Sequence, residues 1–459
     1  MKPEKVQQTK KEATRSRHEL GVAQQTARAV GENIEPSSSE LLEEVLSKEN
    51  LVKALKRVQA KQGAAGIDGM TVDELPDYLR QHWPRIREQL LDASYEPAPV
   101  REVPLTKSGG GIRLLGIPTV LDRFIAQACL QVLSPIFDPD FSEHSYGFRP
   151  KRSALQAVEQ ARSYVEQGYR YVVDLDLEKF FDTVNQDMLM SLLAKRIKDK
   201  RLLKLIRAYL KSGIMKDGLV SMREAGMAQG SPLSPLLSNV LLDKLDKELE
   251  RRDHKYCRYA DDVNVYVKSQ RAGERVMASL TMFLEGKLRL KVNRAKSAVA
   301  RPWKRSFLGY TVTMERVPRL KPAPNSIKRA KDRVRQITQQ GRGRNIRQVI
   351  QELNRYTRGW VNYFKLSTVK HAFEQLDGWI RRRLRKILWE QWKRPKTRLK
   401  KLIALGVNPH RAKKATATGL GAWWNAGASH MHLAVNNRLL KEWGLLGLLE
   451  QLRARQSFT

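Results

Sequence analysis

Residues 255–267 read Lys255-Tyr256-Cys257-Arg258-Tyr259-Ala260-Asp261-Asp262-Val263-Asn264-Val265-Tyr266-Val267. Strand-type residues flank the Asp pair on both sides: Tyr256 and Tyr259 before it, Val263, Val265 and Val267 after it. Two such runs with a short break between them predict a β-hairpin. The adjacent carboxylates then sit at its turn. Asp is a common turn residue, which is the plainer reading of either one alone. A turn uses one Asp, however, and rarely two set directly against strand.

A second acidic segment lies upstream, Arg170-Tyr-Val-Val-Asp174-Leu-Asp176-Leu177. Its period-2 pattern puts Tyr171, Val173, Leu175 and Leu177 on one face and Val172, Asp174 and Asp176 on the other. Two carboxylates on one strand face repel unless cations sit there. A solvent-exposed strand face is the alternative for this segment alone. Together the two segments make one hypothesis. A carboxylate from one strand and a pair from a neighbouring hairpin can converge on two Mg²⁺ ions, which take a few carboxylates and fill the rest of their shell with water and phosphate oxygens. Two such ions ~3.5–4 Å apart activate a hydroxyl and stabilise a leaving pyrophosphate. The chemistry is nucleotidyl transfer, with no Ser, Cys or His nucleophile required.

The surrounding pattern mixes helix and strand, as in an α+β fold with an antiparallel sheet. Residues 41–62 and 71–91 read as helices around a glycine-rich loop, Gly63–Gly69. Residues 98–117 read as a hairpin with the turn Lys107-Ser-Gly-Gly-Gly111, and Lys107 and Arg113 bracket that turn as a triphosphate clamp would require. Two surface cations are the alternative. Helices are predicted through Asp122–Leu133 and over 153–167, 187–212 and 233–251. Gly226-Met-Ala-Gln229-Gly230-Ser231-Pro232 is a turn whose backbone can approach a base pair, or an ordinary helix start capped by Ser231. Beyond Val317 no strand is predicted. Helices follow over 325–340, 345–364 and 371–392, and residues 393–459 read as a small basic module.

Composition narrows the partners. The 459 residues hold 85 Lys and Arg against 48 Asp and Glu, a net charge of +37. Residues 301–459 carry +28 of it, together with eight of the nine Trp. Such a cationic, Trp-bearing third suits phosphate contacts and base stacking, and so a polyanionic partner. The two Cys, Cys129 and Cys257, exclude a disulfide scaffold and a multi-cysteine zinc site, and fit a reducing cytosol. No run approaches ~18 consecutive apolar residues, so no membrane partner is expected. The first forty residues read as a polar, mobile extension with a linker near Ser37-Ser38-Ser39, without the apolar run of a secretory signal.

Tyr259-Ala-Asp-Asp262 resembles the catalytic tetrapeptide of reverse transcriptases. More specifically, the chain resembles group II intron-encoded reverse transcriptase/maturases of the bacterial class lacking an endonuclease domain. The likeness runs from about Leu51 to about Lys401. It is carried further by Ser145-Tyr-Gly-Phe-Arg-Pro150, Asp176–Asp182, Gln229–Asn239, Leu290–Lys296, Phe307-Leu-Gly-Tyr310, Arg358-Gly-Trp-Val-Asn-Tyr-Phe364 and Trp379-Ile-Arg-Arg-Arg-Leu384. The resemblance implies a right-hand polymerase: a template-contacting segment (41–69) within fingers and palm (41–315), an α-helical thumb or maturase domain (316–392), and a basic DNA-binding module (393–459) with no endonuclease domain. It implies Asp176, Asp261 and Asp262 as catalytic metal ligands for two Mg²⁺, with Mn²⁺ as a substitute. Phe181 matches the aromatic gate that excludes a 2′-hydroxyl. Lys107, Arg113 and Gln229 match contacts to the incoming deoxynucleoside triphosphate. Lys296 is a candidate acid for pyrophosphate, or else a surface lysine. Arg358, Trp360, Arg381, Arg382 and Arg383 are implied as RNA- or DNA-binding.

The implied partners are intron RNA, an RNA template with a DNA or RNA primer, and target DNA, in a bacterial cytoplasm. Two departures stand out. Ala228 replaces the usual Pro before Gln229-Gly230, which frees φ. Gln186 stands where a His is common. Two alternatives stay open: a maturase acting only as an RNA-binding splicing factor, and a host-adopted reverse transcriptase in DNA repair or defence.

Overall fold

The computed structural model describes residues 40–106, 111–216, 219–221, 225–339 and 343–457. The N-terminal extension expected before Glu40, with its serine linker, and Lys107 with Ser108–Gly110 of its turn lie outside them. So do the side chain of Arg113 and residues 222–224.

The strands in chain order are β1 (Val100–Thr106), β2 (Ile112–Ile117), β3 (Tyr171–Leu175), β4 (Ile214–Lys216), β5 (Leu219–Ser221), β6 (Lys255–Tyr259), β7 (Asp262–Val267), β8 (Ala298–Ala300), β9 (Tyr310–Val312) and β10 (Leu320–Pro322). The predicted hairpin is β6–β7, with Tyr259 opposite Asp262. It joins a four-stranded antiparallel sheet in the order β6-β7-β3-β8. A second sheet has the order β2-β1-β4-β5, built on the predicted β1–β2 hairpin. The end of strand structure expected at Val317 is corrected by β10, which pairs with β9 from Leu320↔Val312 to Pro322↔Tyr310. Pro322 closes that short ribbon; a three-residue run ending in Pro carries no period-2 signal to read.

The central sheet is covered on both faces. Val173, Leu175, Val263, Val265 and Tyr256 point into one core with the helices Val120–Phe137, Ser234–Arg251 and Gln270–Met282. Val172, Cys257 and Tyr266 point into the other, with the Ala154–Glu166 helix and the helices beyond Pro324. This burial rules out an exposed face along most of β3.

The helix predicted over 187–212 is two helices, Gln186–Leu193 and Lys200–Lys211. Asp199 breaks it. Its buried carboxylate caps the second helix by accepting from the Arg201 and Leu202 amides, and it also accepts from the amide of Leu42. Asp gains more by satisfying a helix N-terminus than by sitting inside a helix. The stretch Val120–Asp140 is long and apolar enough by composition to cross a membrane, contrary to the reading by consecutive apolar residues. Here Phe124, Ile125, Ala128, Cys129 and Leu133 are buried between helices, and an all-round apolar helix is what a core position requires.

Three long helices, Pro324–Gln339, Ile346–Tyr363 and His371–Gln391, follow the sheets, close to their predicted bounds. Short helices then run from Pro395 to Gln456. These share a core with the long ones: Trp389 and Ile380 pack with Leu402, Met431, Leu440 and Leu452. Buried Asp377 accepts from the amides of Leu448 and Leu449, capping the last helix. Buried Arg385 donates to the Val435 carbonyl. The turn at Phe307–Tyr310 clamps the helical layer to the sheet. The Gly309 carbonyl accepts from the Ala323 amide and the Ser326 hydroxyl, and the Tyr310 hydroxyl donates to the Tyr363 carbonyl.

Candidate active site

Register assembles the acidic residues. Val172 pairs with Tyr266, Asp174 with Asn264 and Leu175 with Val263. One step on, Asp176 comes beside Asp262. One sheet face thus changes along its length from apolar (Val172, Tyr266) to polar (Asp174, Asn264) to acidic (Asp176, Asp262). Asp262 reaches solvent at the mouth of this recess. The surrounding protein strips much of its water, and the like charges of Asp261, Asp174 and Asp176 add to that. Its carboxyl is pushed up to about 7, while Lys296 pulls it the other way. A raised carboxyl in a group of carboxylates marks a place that favours a cation. The donors are hard oxygens. Among the described residues no three His, Cys, Asp or Glu side chains already form a closed ligand cluster. Mg²⁺ takes one or two carboxylates and completes its shell with water and phosphate, so the set fits that ion.

The two strand carboxylates are treated differently. Asp174 is paired with Arg305 at 2.6 Å, and Arg305 also donates to the Lys296 carbonyl. Burial raises the Asp174 carboxyl and Arg305 opposes that. Asp176 instead receives the Asn293 amide at 2.9 Å and has the Lys296 ammonium at 3.6 Å, both on Oδ2. Its own backbone N–H donates to the Ser297 hydroxyl, and its carbonyl accepts from the Asn293 amide N–H. One Asp176 oxygen is thus oriented by the 293–297 segment. Arg305, Asn293 and Ser297 were missed in the sequence. Each lies more than 110 residues from its carboxylate, so no spacing rule could have found them.

The Asp261-Asp262 turn rests on a buried network. Arg258 and Asp246 form an ion pair with both side chains 0% exposed. The Arg258 guanidinium also donates to the Asn239 side-chain oxygen and to the Ala260 carbonyl, and the Asn239 amide donates to the Gly147 carbonyl. Ala260 holds a left-handed φ of 56°, so the carbonyl bond fixes a strained turn. The Ser145–Gly147 loop lies alongside: Tyr146 N–H donates to Arg258 O, and Arg258 N–H to His144 O. A Cβ on Gly147 would meet Ala260 N at 2.3 Å. Gly147→Ala must therefore displace the carboxylate turn. We expect a loss of about 1–3 kcal/mol in chemical denaturation, the usual cost of overpacking, with activity falling further than stability accounts for. Wild-type activity in that variant would remove the loop's role.

The other expected contacts adjoin one another. Phe181 is half-buried and stacks edge-on with buried Phe180 at 5.3 Å. Its carbonyl accepts from Met227 N–H, and Val184 O accepts from Gly226 N–H. Gly226 has φ +84°, and a Cβ there would meet Phe181 O at 2.7 Å. Gln186 supports this zipper by donating to the Gly226 and Leu210 carbonyls, a job that an amide does well. Gln229 O accepts from Gly116 N–H on β2. Phe181, Gln229 and the strand carrying Arg113 are therefore adjacent. Lys107 lies outside the described residues.

The distal set divides. Arg358 is exposed. Arg381 is half-buried near Asp377. Trp360 is only 9% exposed and packs on Phe364 and Phe373, so the expected base contact at this ring is corrected: it is core. Arg383 donates to the Thr338 hydroxyl and Arg382 to the Trp423 carbonyl, so both hold helices together as well as carrying charge.

With this geometry in place, comparison with known proteins is specific. The family described as "Reverse transcriptase (RNA-dependent DNA polymerase)" matches residues 105–312. "Group II intron, maturase-specific domain" matches residues 327–403. Protein YkfC of Escherichia coli is 32% identical over 299 residues, covering 56% of this chain and 78% of YkfC. Group II intron-encoded protein LtrA of Lactococcus lactis subsp. cremoris is 25% identical over 376 residues, covering 68% of this chain and 62% of LtrA. The first family match ends on β9 and the second begins in the helix that the Phe307–Tyr310 turn clamps to the sheet. Both therefore lie in one packed chain, which belongs to the group II intron-encoded reverse transcriptases, RNA-directed DNA polymerases that carry a maturase domain.

Proposed function

We propose that this chain copies RNA into DNA at the Asp176/Asp261/Asp262 recess, with deoxynucleoside triphosphates as substrates and Mg²⁺ as cofactor. The observation that carries the reading is the register placing Asp176 beside Asp262, at the end of a face whose third carboxylate, Asp174, is neutralised by Arg305. Bound Mg²⁺ would activate the primer 3′-hydroxyl and offset charge on the departing pyrophosphate. The 3′-oxygen bonds to the α-phosphorus as the bond to the β-phosphate bridge breaks. Asn293 and Lys296 orient Asp176, and Lys296 stands where it can pass a proton to pyrophosphate. The β1–β2 hairpin serves as fingers and the central sheet as palm. The helices from Pro324 to Gln391 serve as thumb, gripping an A-form-like template–primer duplex through its backbone. The same cationic surface and the helices beyond Pro395 bind intron RNA and target DNA, in the cytoplasm. Mg²⁺-dependent extension of a DNA primer on an RNA template tests the reading. Wild-type protein that folds and binds RNA but extends nothing would overturn it.

Two quantities follow. Phe181→Val opens space under the sugar, so ribonucleotide incorporation should rise by roughly tenfold or more, the worth of one excluded steric contact at about 1.4 kcal/mol. Unchanged sugar selectivity would remove the gate from Phe181. Duplex affinity should fall roughly a thousandfold between about 50 and 200 mM salt, as expected when several phosphates are neutralised. A flat salt response would count against the helical grip.

A further inference from the structure

Two tryptophans stand out in the C-terminal helices. Trp423 is 37% and Trp424 50% exposed, side by side in the short Ala422–Gly427 helix, with Leu420 exposed just before them. Large aromatic surface is normally buried, and adjacent bare indoles are costly in water unless something covers them. The platform is built rather than loose. Asn425, fully buried, donates its amide to the Leu420 and Gly421 carbonyls, pinning the loop to the helix. The Arg382 guanidinium lies 4.3 Å from the centre of the Trp423 ring and donates to the Trp423 carbonyl. That contact polarises the ring and fixes its angle.

The charge of the segment that carries it is of one sign. No Asp or Glu occurs between Glu390 and Glu442, whereas residues 391–441 carry eleven Lys and Arg. Arg411, Lys413 and Lys414 lie on the Pro409–Thr416 helix, which packs on the Ser429–Ala434 helix, and Arg411 donates to Ser429. Exposed, pinned rings, one with a guanidinium on its face, in a segment that carries cations and no carboxylate, match a strand whose bases are free to stack. A duplex hides its bases and cannot use the rings.

We propose that Trp423 and Trp424 form a stacking platform for unpaired nucleotides of a DNA strand. The proposal deepens the target-DNA part of the proposed function and rests on it for the choice of DNA over RNA. The platform lies on helices separate from the carboxylate sheet, so it would hold single-stranded DNA apart from the template–primer duplex.

The test is equilibrium binding, without triphosphate, of a labelled 20-nucleotide thymidine oligonucleotide, a hairpin duplex of equal charge, a uridine oligonucleotide and phosphatidylglycerol vesicles. Trp423→Ala/Trp424→Ala should weaken thymidine-strand binding by roughly tenfold or more, given the usual worth of a base–aromatic stack. Duplex affinity should change by less than about threefold, and Trp423→Phe/Trp424→Phe should restore strand binding. The single variant Trp424→Ser, at the more exposed ring, carries the same expectation should the double variant fail to fold. Unchanged strand binding overturns the proposal. So does an equal loss on the duplex, a loss confined to the uridine strand, or a loss confined to vesicles. Because no extension is measured, failed polymerase activity with ring-dependent strand binding would sink the catalytic reading alone.

Discussion

Asp261→Ala should reduce Mg²⁺-dependent extension of a DNA primer on an RNA template by roughly a thousandfold or more. Metal ions contribute several kcal/mol to such a transition state, and each 1.36 kcal/mol is a factor of ten. The fold should not suffer. Asp261 is one of the charges that push the Asp262 carboxyl up to about 7. A carboxyl raised in the folded state is destabilising once ionised. Without metal, that cost grows as pH climbs from the ordinary Asp value of 3.8 to about 7 and stays constant above it. Removing Asp261 relieves part of this repulsion. In chelator at pH 8 the variant should melt no lower than wild type, and Mg²⁺ should raise the melting temperature of wild type more than that of the variant. Near-wild-type extension would remove Asp261 from the chemistry. A large drop in melting temperature would mean that the lost activity reports unfolding.

The second large effect lies behind the turn, at the Arg258–Asp246 pair. Asp246→Ala leaves a fully buried guanidinium without its carboxylate, which costs about 3–5 kcal/mol. Arg258→Met/Asp246→Leu removes both charges together. A well-packed apolar pair is often as stable as the ion pair it replaces, so most of the stability should return. Activity should not return. The Ala260 carbonyl and the Asn239 side chain would still lack their guanidinium donor, and the Asp261-Asp262 turn would lose its fixed position. We expect extension at least about tenfold below wild type, with KM for the primer–template little changed. A double variant that regains both stability and rate would make the pair purely structural.

Much of the chemistry was legible because it is written at short range. The period-2 run around Asp174 and Asp176, the paired Asp inside a strand–turn–strand run, and the glycines of the 226–230 turn each report local backbone geometry. The finer choices were not legible. Asp174 and Asp176 share a face; the family resemblance singles out Asp176, but the physical difference between them comes from the arrival of Arg305 at one and of Asn293 with Lys296 at the other. Arg258 looks like a surface cation beside an acidic motif until Asp246 and Asn239 enclose it. Trp360, preceded by Arg358 and Gly359, has on that side the neighbours of an interface residue. Phe364 and Phe373 make it core, and the next turn of a helix does not announce which partner will cover it.

By itself, the sequence determined the local elements, the carboxylates and the sign of the partner. Hydrophobic period, turn residues and net charge act within a few residues or over the whole chain, and need no tertiary information. Only the tertiary structure decided which strand meets β3, which oxygens are oriented, which cations are spent on packing and which rings stay bare. Those outcomes depend on contacts between separate elements of the chain, 41 positions apart for Arg382 and Trp423 and 117 for Asn293 and Asp176, and they are set by how the two cores on either face of one sheet fill with side chains.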